Sequence, residues 1–85
     1  MAIEIHPTPN PNALKFVVGG HFAAPVSYVA GRPADHPAAA ALLALPGVTS
    51  VFMSADFVTI SKAPAAFWDE ITPAARHILS EHFAG

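Results

Sequence analysis

Five histidines, His6, His21, His36, His77 and His82, are the side chains of this sequence best suited to hold a metal ion or move a proton. Imidazoles that share a metal on one helix stand three or four positions apart, so that both rings face the same way. His77 and His82 are five positions apart, and the other three fall on expected loops and strand ends. This spacing predicts exposed surface histidines and no metal ligand. Ser54, Ser61 and Ser80 lack the G-x-S-x-G elbow that presents a nucleophile beside its base. Asp69 and Glu70 are adjacent on an expected helix and diverge. Asp56 stands alone in an expected turn, so no carboxylate pair converges for acid–base work. Gly19-Gly20 lacks the lysine and Ser/Thr context of a phosphate loop. The expectation is a protein without catalytic residues, not an enzyme.

The remaining chemistry is directional hydrogen bonding, and one run concentrates it: Thr8-Pro9-Asn10-Pro11-Asn12-Ala13-Leu14-Lys15-Phe16. Together with Pro7 it places proline at every second position across five residues. Each proline fixes φ near −65° and removes a backbone donor. Each also drives the residue before it, here His6, Thr8 and Asn10, toward extended geometry. Asn12 stands where the chain must turn into a strand, and asparagine tolerates left-handed backbone and caps its own loop. Two readings stay open. The two amides and Lys15 form a rigid recognition loop, which loses little entropy on binding. Alternatively, the asparagines satisfy local backbone groups in a stiffened connection; this second reading is preferred. Trp68 is read in the same two ways, as a partner's anchor or as packing on a sheet edge. Asn10, Asn12, Lys15 and Trp68 are therefore the candidate partner-binding residues. Lys62 is expected to top a strand as a solvated charge.

The elements that carry these residues follow from periodicity. Ile3 and Ile5 alternate across residues 2–6, and Leu14, Phe16 and Val18 alternate in a second strand closed by Gly19-Gly20. Residues 26–29 allow a short edge strand. Asp35 is a plausible N-cap, with Pro37 in the first turn of an alanine-rich helix reaching Leu45. Residues 48–53 and 57–62 are rich in β-branched and aromatic residues and flank Ser54-Ala55-Asp56, which reads as a hairpin. Phe67, Ile71, Ala75, Ile78, Leu79 and His82 follow helical spacing, with a kink or split at Thr72-Pro73. The sum is an α+β fold in the order ββαββα. It has a small antiparallel sheet of about four strands, with two or three helices packed on one face.

Composition narrows the function. Charged residues make up 12% of the 85 positions, about half the usual share. The net charge is −2, and the four cations Lys15, Arg32, Lys62 and Arg76 are scattered. No basic footprint marks a nucleic-acid partner. The longest apolar run, residues 38–45, is far short of the roughly 20 needed to cross a membrane. No basic segment followed by an apolar core opens the sequence, so no signal peptide is expected, and the absence of cysteine fits a cytoplasmic setting. A surface built largely of alanine, serine, threonine and proline is mildly apolar and permits a homo-oligomer.

The run at residues 8–16 closely resembles the opening of the N-terminal domain of Nfu-type (NifU-like) iron–sulphur cluster scaffold proteins. Three further stretches match the same family in order. They are Leu45-Pro46-Gly47-Val48 through Val51-Phe52, then Asp56-Phe57-Val58-Thr59-Ile60-Ser61-Lys62, then Trp68-Asp69-Glu70-Ile71-Thr72-Pro73 running to His82-Phe83. Residues 20–37 carry little of the resemblance. It implies a single Nfu N-terminal-like domain over residues 1–85. It also implies a protein-interaction module associated with iron–sulphur cluster assembly or delivery, its partner a client apoprotein or a cluster-carrying scaffold. Such scaffold proteins hold their cluster on a second domain with a Cys-x-x-Cys pair. This sequence contains no cysteine, and thiolate is the usual cluster ligand. The expectation is that no cofactor is bound by this chain alone and that an iron–sulphur cluster is met only through a partner. The alternative expectation, from low charge and an alanine-rich surface, is a self-associating small structural domain with no cluster role.

Overall fold

The computed structural model describes residues 3–83, apart from the side chains at 20–24, 55 and 83. A short strand β1 (Glu4–Pro7) ends at the first proline of the motif run, and β2 (Ala13–Val29) begins just past the last one. The two pair antiparallel, Glu4 opposite Val17 and Pro7 opposite Leu14. Proline is tolerated there because β1 is an edge strand. Helix α1 (Pro37–Leu43) leads to β3 (Val48–Lys62), which pairs antiparallel with the other side of β2, and α2 (Trp68–Phe83) completes the described chain. The sheet order is β1-β2-β3. The α+β class, the antiparallel sheet and two helices agree with the residue pattern; residue 2 of the expected first strand lies outside the described residues.

The strand count differs, and the reason is physical. Gly19 was expected to end β2; instead it takes φ 72 inside the strand, and the chain carries on. Between the Val17–Phe57 and Phe22–Ala55 pairs β2 advances five residues while β3 advances two; from there to Val26–Met53 it advances four against two. A positive-φ glycine beside surplus residues is the mark of a β-bulge, which bends a strand without ending it. Because β2 runs on, β3 pairs with it on both sides of the bulge, from Ser50 to Ser61, and Ser54-Ala55-Asp56 lies within a strand rather than in a hairpin turn. The expected strand at residues 26–29 is the far end of β2. The irregularity also appears in burial: Val51 and Met53 face inward before it, Val58 and Ile60 after it, with the alternation shifted by one residue.

Three local expectations are also corrected. His36, not Asp35, caps α1: its Nδ1 accepts from the Ala38 N–H at 3.2 Å. The Asp35 carboxylate instead accepts from the Tyr28 hydroxyl at 3.0 Å. Helix α2 continues through Pro73 as one element, so the expected alternative of a split there does not hold. Phe67 precedes α2 and is 66% exposed, so the inward stripe is Ile71, Ala75 and Leu79. The backbone carbonyl of Phe67 accepts from the Glu70 and Ile71 N–H groups, which fixes the residue at the helix entrance.

One core joins the layers. Phe16, Leu42, Val51, Met53, Val58, Ile60 and Leu79 are fully buried. Register puts Phe16 beside Val58, and Leu14 beside Ile60, on the sheet face that the helices cover. Ala38 and Ala39 are also fully buried, so α1 approaches β3 closely. Each large buried side chain contributes roughly 1.5 to 3 kcal/mol. The other face of the sheet carries Lys15, Val17, Phe52 and Phe57, partly or well exposed.

Candidate functional site

The motif loop is built from its own side chains. Thr8 Oγ1 lies 2.8 Å from the Asn10 carbonyl and 2.9 Å from that of Ala13, within reach to donate to either. The same oxygen accepts from the Asn10 N–H at 3.1 Å. Asn10 Oδ1 accepts from the Asn12 N–H at 2.9 Å, an Asx turn that replaces a backbone turn. The Ala13 N–H closes the loop on the Asn10 carbonyl at 3.0 Å. Pro9 and Pro11 remove two backbone donors within the loop, so little in it is left to satisfy.

Two distant residues then pin the loop to the body. The Lys62 backbone N–H donates to the Asn12 carbonyl at 2.8 Å. Its ammonium donates to Asn12 Oδ1 at 2.9 Å and to the Ala63 carbonyl at 3.3 Å, and lies 5.8 Å from the centre of the Trp68 ring. Trp68 Nε1–H donates to the Pro11 carbonyl at 3.0 Å. Lys62 is only 8% exposed, so it is not the solvated strand end that was expected. A buried ammonium needs compensating partners, and the loop supplies them. Its role was nonetheless detectable: Lys62 continues the inward alternation of Val58 and Ile60.

The structure thus brings together three of the four candidate residues. Asn12 and Trp68 are half-buried and meet through Lys62 and Pro11, while Asn10 is exposed at the loop's tip. Lys15 is elsewhere: it projects from the outer face of the sheet, 4.5 Å from the centre of the Phe57 ring. Phe57 in turn meets Phe52 at 6.3 Å between ring centres, tilted by 46°. The histidines stay apart. His6 contacts Glu4 at 3.1 Å, His77 contacts Glu81 at 3.0 Å, and the side chain of His21 lies outside the described residues. Among the described residues no three of His, Cys, Asp and Glu are grouped to hold a metal ion.

Beyond Trp68 an open groove of about 590 Å³ lies between the α1–β3 connection and the start of α2. Leu45 and Gly47 line one side; Ala66, Phe67, Glu70 and Ala74 line the other. Gly47 has φ 92, and a Cβ there would come within 2.5 Å of the Ala66 Cβ. The Ala63 N–H donates to the Gly47 carbonyl at 2.7 Å, locking the two walls together. Sequence reasoning missed this groove because its lining is rich in alanine and other small or apolar residues, which carry no chemical signature. No described helix is long and apolar enough to cross a membrane.

This arrangement of three antiparallel strands and two helices recurs in solved proteins. A crystal structure of the Staphylococcus aureus protein SAV1430 superposes with a TM-score of 0.82 at 25% identity, covering 92% of this chain and 98% of that one. The solution structure of a Staphylococcus epidermidis protein, SeR13, superposes with a TM-score of 0.67 at 27% identity, covering 96% and 99%. Among curated proteins, an NFU1 iron-sulfur cluster scaffold homolog, mitochondrial, from Drosophila willistoni is 37% identical over 99% of this chain. A NifU-like protein of Schizosaccharomyces pombe is 32% identical over 96% of it. The chain spans only about a third of the length of these two relatives, 30% and 34%. The model of the scaffold protein Nfu/NifU N-terminal family matches residues 3–85. With the braced loop and the sheet that carries it, this match establishes that the chain belongs to the Nfu/NifU N-terminal domain family.

Proposed function

We propose that this chain is a non-catalytic interaction module of iron–sulphur cluster assembly or delivery. It recognises a client apoprotein or a cluster-carrying partner and works as one domain. The observation that carries the reading is the motif loop, whose backbone is fixed by Thr8, Asn10, Lys62 and Trp68 before any partner arrives. A surface held in one conformation loses little entropy on association. Asn10 stands exposed at the loop's tip, where a partner's backbone reaches its amide. The cluster is cargo carried by the partner, since this sequence offers no thiolate. The cysteine-free composition also supports a cytoplasmic setting.

The test is a pull-down from native extract with wild type and an Asn10→Ala/Asn12→Ala variant, after circular dichroism has shown that both fold equally. Recovery of iron–sulphur proteins by wild type alone is the expected result. Identical recovery by both proteins removes the loop from recognition. Recovery of no iron–sulphur protein by wild type removes the cluster role.

A further inference from the structure

The groove beside α2 is a second surface, distinct from the motif loop, and its lining selects an occupant. Its walls are carbon, and the alanines at 63, 65, 66 and 74 keep it wide. Phe67, the largest side chain on the rim, is 66% exposed, and apolar surface of that size is favourably removed from water. The walls are also preformed: the Ala63–Gly47 hydrogen bond and the close Gly47–Ala66 approach hold them in place.

A single charged side chain lines the groove, Glu70, and it is exposed, as is its neighbour Asp69. This charge decides between occupants. A second copy docking by two-fold symmetry would bring the same patch against itself, so the joint interface would hold two Glu70 carboxylates and, among the described residues, no lining cation to meet them. A segment that carries an apolar side chain and a nearby cation fills the walls and meets the carboxylate as well. We infer that the groove docks a partner protein's segment presenting an aliphatic or aromatic side chain with a lysine or arginine within about one helical turn of it. The inference does not depend on the motif loop.

A phage-displayed library of randomised twelve-residue peptides tests this directly. Selection on the wild-type chain is expected to enrich an apolar residue with a neighbouring lysine or arginine. Ala74→Trp fills the groove and should weaken the selected peptides at least about tenfold. Glu70→Lys, a surface change that keeps the test valid should Ala74→Trp not fold, should weaken them about fivefold. The same library on Glu70→Lys should then enrich acidic peptides. Asn10→Ala/Asn12→Ala should bind the selected peptides as wild type does, which separates this site from the loop. Four results would overturn the inference: no enriched motif, a motif without a cation, binding indifferent to both groove variants, or a concentration-dependent dimer of wild type that Ala74→Trp abolishes.

Discussion

The motif loop and the groove flank the same short link between β3 and α2, yet they are built on opposite principles. In the loop, polar atoms face one another. Asn10 caps Asn12, Lys62 holds Asn12, and Trp68 holds Pro11. In the groove, carbon atoms face outward around one carboxylate. The loop has most of its hydrogen bonds made before a partner arrives, so what it offers is shape. The groove has made few, so what it offers is apolar surface. The comparison teaches that stiffness and apolar binding surface need not reside in the same residues: the loop holds a fixed shape and the groove leaves carbon exposed.

Breaking the support that both regions share should have the largest effect. Phe16 is fully buried beneath the sheet, and Phe16→Ala should cost about 3 to 5 kcal/mol in urea denaturation. The loop and the groove should be lost in one transition. Separate transitions would mean that the regions do not share a core. Gly47→Ala acts on the groove alone. It forces φ 92 on a side chain and drives a Cβ against Ala66, for roughly 2 to 3 kcal/mol. Loop amides should keep their hydrogen-exchange protection in that variant.

Lys62→Met acts on the loop alone. The thioether keeps the apolar stem but strands Asn12 Oδ1, at about 1 to 2 kcal/mol. Trp68, the one tryptophan of the chain, should report the loosened contact by a change in fluorescence. An unchanged emission spectrum would mean that Lys62 does not brace the ring. Trp68→Phe removes the indole N–H while retaining a ring, and should cost about 1 kcal/mol by circular dichroism. A loss of 3 kcal/mol or more would mean that Trp68 is core and not a brace.

How far these regions could be read in the sequence follows the same division. Alternating Leu14, Phe16 and Val18 announced a strand, and Ile71, Ala75 and Leu79 a helix, because burial imposes a period on residue type. The proline–asparagine run announced a stiff loop, because proline acts locally. What was illegible depended on partners far along the chain. Lys62 meets Asn12 across 50 positions and Trp68 meets Pro11 across 57, and no local pattern records such pairs. Ser54-Ala55-Asp56 looked like a turn because its residues favour turns. The long β2 beside it decided otherwise. Phe67 was expected in the inward stripe and is exposed, since adjacent aromatics at a helix entrance leave the inward direction undetermined until the entrance itself is fixed.

The smallest expected effect tests whether the two regions are as local as the comparison holds. Tyr28 lies toward the far end of β2, opposite Val51, is not among the residues that line the groove, and is the sole tyrosine of the chain. Partial burial, then the hydrogen bond and the negative charge of Asp35, raise its phenol above the ordinary value of 10.0. The stability linked to the neutral phenol is therefore fully present below the unfolded value and lost as pH rises through the higher folded one. Tyrosinate absorbance should rise with a midpoint above 10.0 in wild type and fall back toward it in Asp35→Asn. Lys62→Met and Gly47→Ala should leave that midpoint where it is in wild type. A shift in either variant would show that the bulged sheet transmits strain along β2 and β3, and the loop and groove would then be one coupled surface rather than two.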